Sequence, residues 1–398
     1  MKTISLTQWF SCLLFAVGQI LLWGGSYFLL SVLSVSIRAE TGWTYQFIYG
    51  ALSLAVVVSG LILPKIGRII QRGATGEGCL LFAGWIMAVG LLLLSYSNHY
   101  VTFLFAWFII GIGMGMGLYD TLFATMAQRY GKLTARAIVV VTLLSSLAPS
   151  ISWYVLSELL TVFDWRETCQ LYAVLLVLFI TPIHALAFRL AGDRKSIALQ
   201  PEARISEKDQ AHKPKLFYIL SAHFILGAAL STLVAVFLIE ILSNQGLAMA
   251  SVITVTAFLG PSQSGARLLE LLSPKTSPLR LSMLSSLLLM AAVVLLLSGI
   301  PFAVPAVILL GLGNGQRSIL RGTLPFAIFG SEQYAIWIGK LGRWPLVIQG
   351  LTPILGGFVM QYFGVYALLY LGLLLAMANV IMVLLLRKNV VSLANAIN

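Results

Sequence analysis

Three ionisable side chains lie inside long apolar runs of the sequence, where a charge is costly. They are Asp120, Arg317 and Arg321. Ionisable residues inside a bilayer usually face a cavity or a partner and serve a function. The guanidinium group of arginine is a planar fork of donors that suits a carboxylate or a phosphate. These residues predict either a binding site for a small organic anion or a charged pair that opens and closes a path.

The polar residues of the run 302–322 share one face of a helix. Asn314, Arg317 and Arg321 follow i, i+3, i+7 spacing. Asn314 and Arg317 are therefore candidates for binding the substrate. Arg321 lies one turn nearer the end of the run and is a candidate for a gate pair with Asp120. Alternatively, its long side chain extends to the interface of the bilayer and has no role in binding or gating.

Asp120 ends the stretch GIGMGMGLYD (111–120) and has several candidate roles. It could form the gate pair or carry a coupling proton. Alternatively, it caps its own helix or pairs with a nearby arginine, such as Arg129 or Arg136. Tyr119, directly before it, is a candidate substrate-binding residue.

The first apolar run contains the amphipathic stretch GQILLWGGSYFLL (18–30). At helical spacing, Gln19, Trp23 and either Ser26 or Tyr27 fall on one face. Gln19, Trp23 and Tyr27 are predicted to line a substrate cavity. The alternative is an aromatic packing stripe in which Trp23 fills the core.

His223 lies about two turns inside the seventh apolar run. Histidine titrates near neutral pH, so His223 is a candidate for relaying a coupling proton. The alternative is a packing residue whose nitrogens are satisfied by neighbours. Glu240, near the outer end of the same run, and Gln349, in the eleventh run, are further polar candidates.

Several chemistries have no counterpart in the sequence. No stretch matches G-x-x-x-x-G-K-[ST], so direct use of ATP is not expected. No cluster of His, Cys and carboxylates has the spacing of a metal site, and no nucleophile, base and acid set points to an enzyme. Cys12, Cys79 and Cys169 lie far apart, in or beside apolar runs, and are interpreted as packing residues. We therefore expect no cofactor, no metal and no enzymatic activity.

The elements that position these residues are apolar helices. Hydrophobic residues make up 59% of the 398-residue chain and charged residues 10%, with a mean hydropathy of +0.96. Soluble domains contain about 25% charged residues, and a run of about 20 apolar residues is long enough to cross a bilayer as a helix. The sequence predicts an all-α polytopic membrane protein with twelve transmembrane helices. The predicted spans are 11–37, 45–63, 79–95, 101–122, 138–160, 170–188, 216–240, 249–269, 281–299, 302–322, 344–362 and 364–386.

The basic residues are distributed asymmetrically along this topology. With both termini placed in the cytoplasm, all but four of the 25 lysines and arginines fall on the cytoplasmic side. The exceptions are Arg38 and Arg166, on the outer side, and Arg317 and Arg321, in a span. This is the positive-inside bias of membrane proteins, which accounts for the net charge of +12 without a nucleic-acid partner. We expect a multi-pass protein of the cell (inner) membrane.

The chain is predicted to divide into two halves of six spans. The polar segment 189–215 is the predicted cytoplasmic linker between residues 1–188 and 216–398. GIGMGMGLYD at 111 and GLGNGQRSIL at 311, on the fourth and tenth spans, align with three glycines in common. Glycines two residues apart cannot all share one helix face, so they allow close approach of helices on several sides and also permit bending. Close packing alone and packing that tolerates movement both explain them.

The whole chain resembles the major facilitator superfamily. The stretch GLILPKIGRIIQRG (60–73) is similar to a family signature in the loop after the second span, G-x-x-x-D-R-x-G-R, although Pro64 and Gln71 stand where an acidic residue is expected. Parallel six-helix repeats, inward termini and a long central loop also fit this transporter architecture. The resemblance implies that the first, fourth, seventh and tenth helices line a central path. Asp120 could then face the two arginines across it.

These features predict a secondary active transporter that works by alternating access. The leading hypothesis is a proton-coupled transporter of a small organic anion, such as a carboxylate or a carboxylate-type chelator. Its partners would be the small-molecule substrate, protons and the lipid bilayer, and a monomer is expected. One alternative is an efflux pump for amphipathic, drug-like compounds, favoured if the aromatic residues dominate the cavity. The other is a non-transporting membrane sensor with the same fold.

Overall fold

The computed structural model describes residues 5–71, 76–192, 207–272, 277–330 and 334–397. Helices make up almost all of these ranges, and no strand occurs within them. The predicted all-α character is confirmed. The helices are α1 Leu6–Gly24, α2 Leu30–Thr41, α3 Tyr45–Gln71, α4 Gly76–Ser95, α5 Tyr100–Gly117, α6 Tyr119–Tyr130, α7 Thr134–Leu144, α8 Ala148–Val162, α9 Trp165–Ala191, α10 Glu207–Asn244, α11 Met249–Thr256, α12 Leu259–Leu272, α13 Pro278–Leu297, α14 Ala303–Phe329 and α15 Tyr334–Ile397.

The chain packs as two compact units. Unit 1 takes its described residues from Met1–Ser196 and Ser331–Gly350, and unit 2 from Ile197–Gly330 and Leu351–Asn398. In unit 1, α4 packs against α5 and α9, and α5 also packs against α3; in unit 2, α14 packs against α12 and α13. The predicted division at the linker 189–215 stays a prediction, and residues 193–206 lie outside the described ranges.

Eight stretches of helix in the described ranges are long and apolar enough to cross a membrane. Two of them, Tyr100–Val162 with 63 residues and Tyr334–Val390 with 57, are far longer than one crossing needs. The second is interrupted at Gly364, whose φ of 80° breaks α15 between the predicted spans 344–362 and 364–386. The count of twelve spans stays a prediction.

Several predicted spans consist of two helices rather than one. The interruptions fall at 25–29 in the first span, at 118 in the fourth, at 145–147 in the fifth and at 257–258 in the eighth. Glycine is a poor helix former, and α1 ends at Gly24 with the Gly25 N–H bonded to the carbonyls of Leu21 and Trp23. Tyr27 therefore lies in a turn beyond α1, and the predicted helical face of the first span ends at Trp23.

The glycines of α5 alternate between two neighbouring helices, and the first pair faces α3. A Cβ atom on Gly111 would lie 2.6 Å from the carbonyl oxygen of Ala55. One on Gly115 would lie 2.6 Å from Cδ1 of Ile62, on the same helix. At Gly111 the obstacle is backbone, so only a residue without a side chain fits there, whereas at Gly115 the side chain of Ile62 would have to move.

The second pair of glycines faces α4. A Cβ atom on Gly113 would lie 2.5 Å from Cγ of Met87, and one on Gly117 would lie 2.6 Å from Cβ of Ala83. The four glycines, spaced two residues apart, thus form two pairs at i, i+4 spacing, and each pair faces one neighbouring helix. After Gly117 the backbone turns extended at Leu118 (φ −81°, ψ −174°), and α6 begins.

The related glycines of α14 are packed in the same way within unit 2. Gly311 and Gly315 face α12, whereas Gly313 faces α13. A Cβ atom on Gly311 would lie 2.5 Å from Cβ of Ser262, and one on Gly313 would lie 2.8 Å from Cγ of Leu289. The two stretches differ in one respect, because α14 continues without the break that separates α5 from α6.

The part of the stretch 60–73 that follows the predicted span 45–63 was predicted to be a loop, but it is helical up to residue 71 and forms the end of α3. Its glycines pack against the first part of α15. A Cβ atom on Gly60 would lie 2.8 Å from the carbonyl oxygen of Arg343, and one on Gly67 would collide with that of Ala335. The loop prediction is wrong here because these glycines allow helix contact rather than a turn.

Candidate functional site

Unit 2 contains a buried polar network that joins α10, α13 and α15. His223 on α10 is 3% exposed. Its Nδ1 atom lies 2.6 Å from Oδ1 of Asn379 on α15, and its Nε2 atom lies 3.0 Å from Oγ of Ser282 on α13. An amide oxygen only accepts hydrogen bonds, so Nδ1 carries a hydrogen and donates it to Asn379. Both ring nitrogens are engaged, and the proton-relay role of His223 stays a prediction.

Asn379 is a candidate that sequence reasoning missed. It is 1% exposed, and its Nδ2 atom donates a hydrogen bond of 3.2 Å to Oγ of Ser286. This bond uses one of the two amide hydrogens. The signal in the sequence was a single amide inside the apolar run 364–386, because polar groups in such runs usually have a partner or a function.

Arg317 on α14 lies over Gly227 of α10. Gly227 is one helical turn after His223 on the same helix. A Cβ atom on Gly227 would lie 3.3 Å from Cδ and 3.8 Å from Nη1 of Arg317, and 3.7 Å from Nδ2 of Asn379. The bare backbone of Gly227 is therefore bordered by two nitrogen donors. This place is named the Gly227 recess below.

The charge of Arg317 has no counterpart within the described residues, among which it forms no hydrogen bond and no ion pair. Its side chain is half-buried. Arg321, one turn further along α14, is close enough to repel it, and His223 is a further close group. A partly desolvated cation beside another cation attracts an anion.

Asn314 lies one turn before Arg317 on the same face of α14. Its Oδ1 atom is buried without a hydrogen-bond partner in the part of the chain that the structure describes, as is Oε1 of Gln316. Because α14 is one continuous helix, the predicted face of Asn314, Arg317 and Arg321 is preserved. Their predicted roles in binding and gating stay predictions.

A further arginine packs against the same helix. Arg267 on α12 is 7% exposed, and its Nε atom donates a hydrogen bond of 3.1 Å to Oγ of Ser318 on α14. Ser318 directly follows Arg317 in the chain. Sequence reasoning placed Arg267 with the basic residues of the cytoplasmic side; in the structure it adds buried basic character to unit 2.

Unit 1 contains an aromatic cluster at the interruption between α1 and α2. The ring centroid of Trp23 lies 5.6 Å from that of Tyr27, 5.9 Å from that of Phe28 and 5.4 Å from that of Tyr119. Phe28 extends the cluster to Trp153 at 6.1 Å. Nε1 of Trp23 is buried and has no hydrogen-bond partner within the described ranges. Three of the predicted substrate-binding residues are thus brought together.

Two tyrosine hydroxyls of this cluster have polar neighbours. The hydroxyl oxygen of Tyr119 lies 2.7 Å from Oγ of Ser145, at the interruption between α7 and α8. The side chain of Tyr27 forms a polar contact with Gln349, in the second segment of unit 1. The cluster therefore presents both aromatic faces and hydroxyl groups.

Gln19 is fully buried beneath this cluster. Its Nε2 atom donates a hydrogen bond of 2.7 Å to the carbonyl oxygen of Gly117, where α5 ends. Its Oε1 atom is buried and has no partner among the described residues. The NH2 group of Gln19 therefore stabilises the fold. The predicted role of Gln19 in substrate binding stays a prediction.

Asp120 lies in the first turn of α6 and is 6% exposed. The first turn of a helix carries positive partial charge, which stabilises a carboxylate. The carboxylate lies against the first part of α15, where a Cβ atom on Gly342 would be 3.2 Å from its Oδ1 atom. Tyr334 is also within electrostatic range. The predicted gating and proton-coupling roles of Asp120 stay predictions.

Arg129, suggested as a local partner of Asp120, pairs with other residues in the part of the chain that the structure describes. Arg129 binds Oε1 of Glu77 on α4 at 2.6 Å and donates a hydrogen bond of 2.9 Å to the carbonyl of Phe188 on α9. Neither Arg129 nor Arg136 forms an ion pair with Asp120 in the described ranges. Arg129 extends to α4 and α9 instead, and local capping or pairing of Asp120 stays a prediction.

Cys12, Cys79 and Cys169 are buried free thiols. Within the described residues, no group of three His, Cys, Asp or Glu side chains is placed to hold a metal ion.

Comparisons with known proteins agree with this architecture. A sequence model described as Major Facilitator Superfamily matches residues 15–316. FucP, a transporter of that superfamily crystallised in the outward conformation, is similar with a TM-score of 0.68 and 15% identity, over 95% of this chain and 98% of FucP. XylE, a proton:xylose symporter of the superfamily, is similar with a TM-score of 0.70 and 11% identity, over 97% of this chain and 96% of XylE. A sequence comparison with curated proteins finds no match. The predicted family is therefore confirmed: this multi-pass membrane protein belongs to the major facilitator superfamily.

Proposed function

We propose that this protein is a secondary active transporter that works by alternating access and moves a small organic anion, such as a carboxylate or a carboxylate-type chelator. Membership of the superfamily supports transport of a small molecule as the general activity. The similarity in fold to XylE, a proton:xylose symporter, is compatible with coupling to protons. The anionic substrate is supported by residues of this chain alone.

The observation that carries the substrate class is the uncompensated charge of Arg317. Its guanidinium group is half-buried in an apolar unit and has no ion-pair partner among the described residues. A substrate carboxylate would supply the missing charge, and a planar guanidinium fork fits both carboxylate oxygens. Asn314 would supply a further polar contact on the same face.

Asp120 is the proposed coupling residue. It is a carboxyl group that is 6% exposed, so its protonation would change the charge of a buried site. The Asp120–Arg321 gate and proton relay by His223 are further proposals for the same step. Asp120→Asn should reduce uptake driven by a proton gradient while leaving substrate exchange across the membrane largely intact.

The test of the substrate class is uptake into proteoliposomes that contain the purified protein. The substrates are radiolabelled acetate, lactate, succinate and citrate, supplied with and without an inward proton gradient. We expect uptake of at least one carboxylate, and we expect Arg317→Gln to reduce it at least tenfold by removing a charged hydrogen-bond donor.

The matched control is Arg280→Gln, which removes an exposed arginine from the same unit and should leave uptake unchanged. If Arg317→Gln transported every carboxylate as well as the unsubstituted protein, the anion proposal would be wrong. If no carboxylate entered under any gradient while one of them still bound, a non-transporting sensor would be favoured.

The aromatic cluster supports a second candidate function, efflux of amphipathic compounds. The ring of Trp23 lies within contact distance of the rings of Tyr27 and Tyr119, and aromatic faces bind flat or cationic molecules. Cells that express the protein should then retain less of a fluorescent amphipathic cation. Trp23→Ala should restore retention, whereas Trp9→Ala, which changes an exposed tryptophan, should not. Unchanged retention in expressing cells would exclude this alternative.

The proposed location is the inner membrane, with both termini in the cytoplasm. It is supported by the distribution of the basic residues. A C-terminal green fluorescent protein fusion should fluoresce, whereas a C-terminal alkaline phosphatase fusion should be inactive. The opposite pattern would contradict the orientation. Light scattering of the purified protein would test the proposed monomer.

A further inference from the structure

We propose that Asn379 binds the substrate carboxylate together with Arg317 in the Gly227 recess, and that His223 positions the Asn379 amide for this contact. The proposal rests on the proposed function; it adds Asn379 to the binding site and gives His223 a positioning role in place of proton relay. Neither has a spacing relationship with Arg317 in the sequence, because the three lie on α15, α10 and α14.

The first step of the argument is the composition of the recess. Two side-chain nitrogens lie close to the position that a Cβ atom on Gly227 would occupy: Nδ2 of Asn379 at 3.7 Å and Nη1 of Arg317 at 3.8 Å. Both nitrogens are donors and neither can accept a hydrogen bond. A place bordered by a cation and a neutral donor suits an oxygen atom of an anion.

The second step is the orientation of the Asn379 amide. Its Oδ1 atom accepts from Nδ1 of His223 at 2.6 Å, which turns the NH2 group of the amide away from the histidine. The Oγ atom of Ser286 accepts one amide hydrogen at 3.2 Å. The second hydrogen remains available on the side of the amide that borders the recess.

The third step is the state of His223. Because Nδ1 donates to Asn379, a neutral imidazole accepts at Nε2, and the hydroxyl group of Ser282, 3.0 Å away, can donate there. This ring is 3% exposed and holds the oxygen of the amide, whereas the nitrogen of the amide borders the recess. His223 is therefore a positioning residue that acts on the substrate through Asn379.

The test combines carboxylate uptake with ligand-induced thermal stabilisation of the full-length protein, using sodium acetate, lactate, succinate and citrate as probes. Asn379→Leu removes both hydrogens of the side-chain amide at nearly constant volume. It should raise KM about tenfold or more with little change in kcat. Asn379→Asp places a negative charge beside Arg317 and should abolish stabilisation by the carboxylates. Gly227→Ala fills the recess while keeping both donors, and should raise KM without lowering the melting temperature of the ligand-free protein.

Two substitutions of His223 separate positioning from packing and from proton relay. His223→Asn keeps an N–H donor where Nδ1 stands, so KM and the dependence of uptake on pH should remain close to those of the unsubstituted protein. His223→Leu removes the donor and should raise KM about threefold or more. If His223→Asn were as defective as His223→Leu, or if it flattened the pH profile, the positioning role would be wrong.

The pattern of results distinguishes this inference from the proposed function. If the carboxylates stabilise the unsubstituted protein and Arg317→Gln removes the effect, the proposed function holds. Unchanged responses in Asn379→Leu and Gly227→Ala would then overturn the recess alone. If no carboxylate stabilises or enters with the unsubstituted protein, the proposed function is overturned, and this inference with it.

Discussion

The side-chain amide of Gln19 donates a hydrogen bond of 2.7 Å to the carbonyl oxygen of Gly117. Gly117 is the last residue of α5, and the backbone is extended at the next position. A carbonyl released at a helix end inside a bilayer needs a partner, because no water is present to supply one. The hydroxyl group of Thr121 donates in the same way to the carbonyl of Gly115 at 2.6 Å. The interruption between α5 and α6 is thus satisfied by side chains from α1 and α6.

Substitution of Gln19 by leucine should lower the stability of the protein. Removing the amide leaves the Gly117 carbonyl buried without a partner, which costs about 1–3 kcal/mol. The measurement is the melting temperature in detergent, followed by the fraction of monodisperse protein after heating. Gln361→Leu, which replaces an exposed glutamine of α15, is the control and should not change it. Equal melting temperatures for the two variants would show that this bond is not needed.

Alanine at Gly111 or Gly311 should destabilise the protein by about 1–3 kcal/mol, the usual cost of overpacking a close contact. At each position the added Cβ atom would lie within 2.7 Å of a backbone carbonyl oxygen on the neighbouring helix. Gly78→Ala and Gly265→Ala are matched controls, because a Cβ atom on either helical glycine meets nothing within 4 Å. The controls should be neutral or slightly stabilising, since alanine favours helix. A uniform effect at all four glycines would contradict this contact-based explanation.

The ion pair between Arg129 and Glu77 should contribute measurably to stability. The two side chains are only 13% and 22% exposed, and Arg129 also donates to the carbonyls of Phe188 and Gly192. Arg129→Gln should therefore destabilise the protein more than Glu77→Gln, by about 1.5–3 kcal/mol for the lost charged hydrogen bonds. Both single variants and the double variant, compared by melting temperature, give the coupling between the residues. Lys132→Gln, at an exposed site, should have no effect, and additive losses in the double variant would indicate that the pair is not coupled.

The contact between α3 and the first part of α15 gives a test within one helix. Gly67→Ala would place a methyl group against the carbonyl oxygen of Ala335, whereas Gly50→Ala, also on α3, meets nothing within 4 Å. Gly67→Ala should reduce the melting temperature, and Gly50→Ala should not. In uptake assays Gly67→Ala should lower kcat more than it raises KM, because the added methyl group would meet Ala335 and Gly339, neither of which is a candidate for binding the substrate. A change confined to KM would be unexpected.

Much of the architecture could be predicted because it depends on local composition. The length and apolarity of the helices can be read from short stretches of the sequence. The glycine repeat is found by comparing the stretches that begin at 111 and 311. The spacing of Asn314 and Arg317 was also predictable, because α14 is a single uninterrupted helix. These features need no knowledge of what lies across the fold.

The features that were missed depend on partners distant in the chain. The end of α5 is satisfied by Gln19, 98 positions earlier, and no local pattern encodes that bond. Asn379 contacts His223, 156 positions away, and has no polar partner at helical spacing on α15. The helical structure of residues 64–71 was missed for a different reason. Glycine and proline ordinarily indicate a loop, but here glycine allows contact with a neighbouring helix.

The alternation of glycines along α5 has a consequence for its contacts with α3 and α4. Its contact with α3 runs along Gly111 and Gly115, and its contact with α4 runs along Gly113 and Gly117. Because glycine has no side chain, Val58 and Ile62 of α3 pack directly against one side of α5, and Met87 and Ala83 of α4 pack against the other. The two contacts can therefore be disturbed separately. Alanine at both glycines of one contact, such as Gly111 and Gly115, should therefore give a destabilisation that differs from the sum of the two single effects. Alanine at one glycine of each contact should give additive effects. Glycines two residues apart thus give one helix two separate packing surfaces.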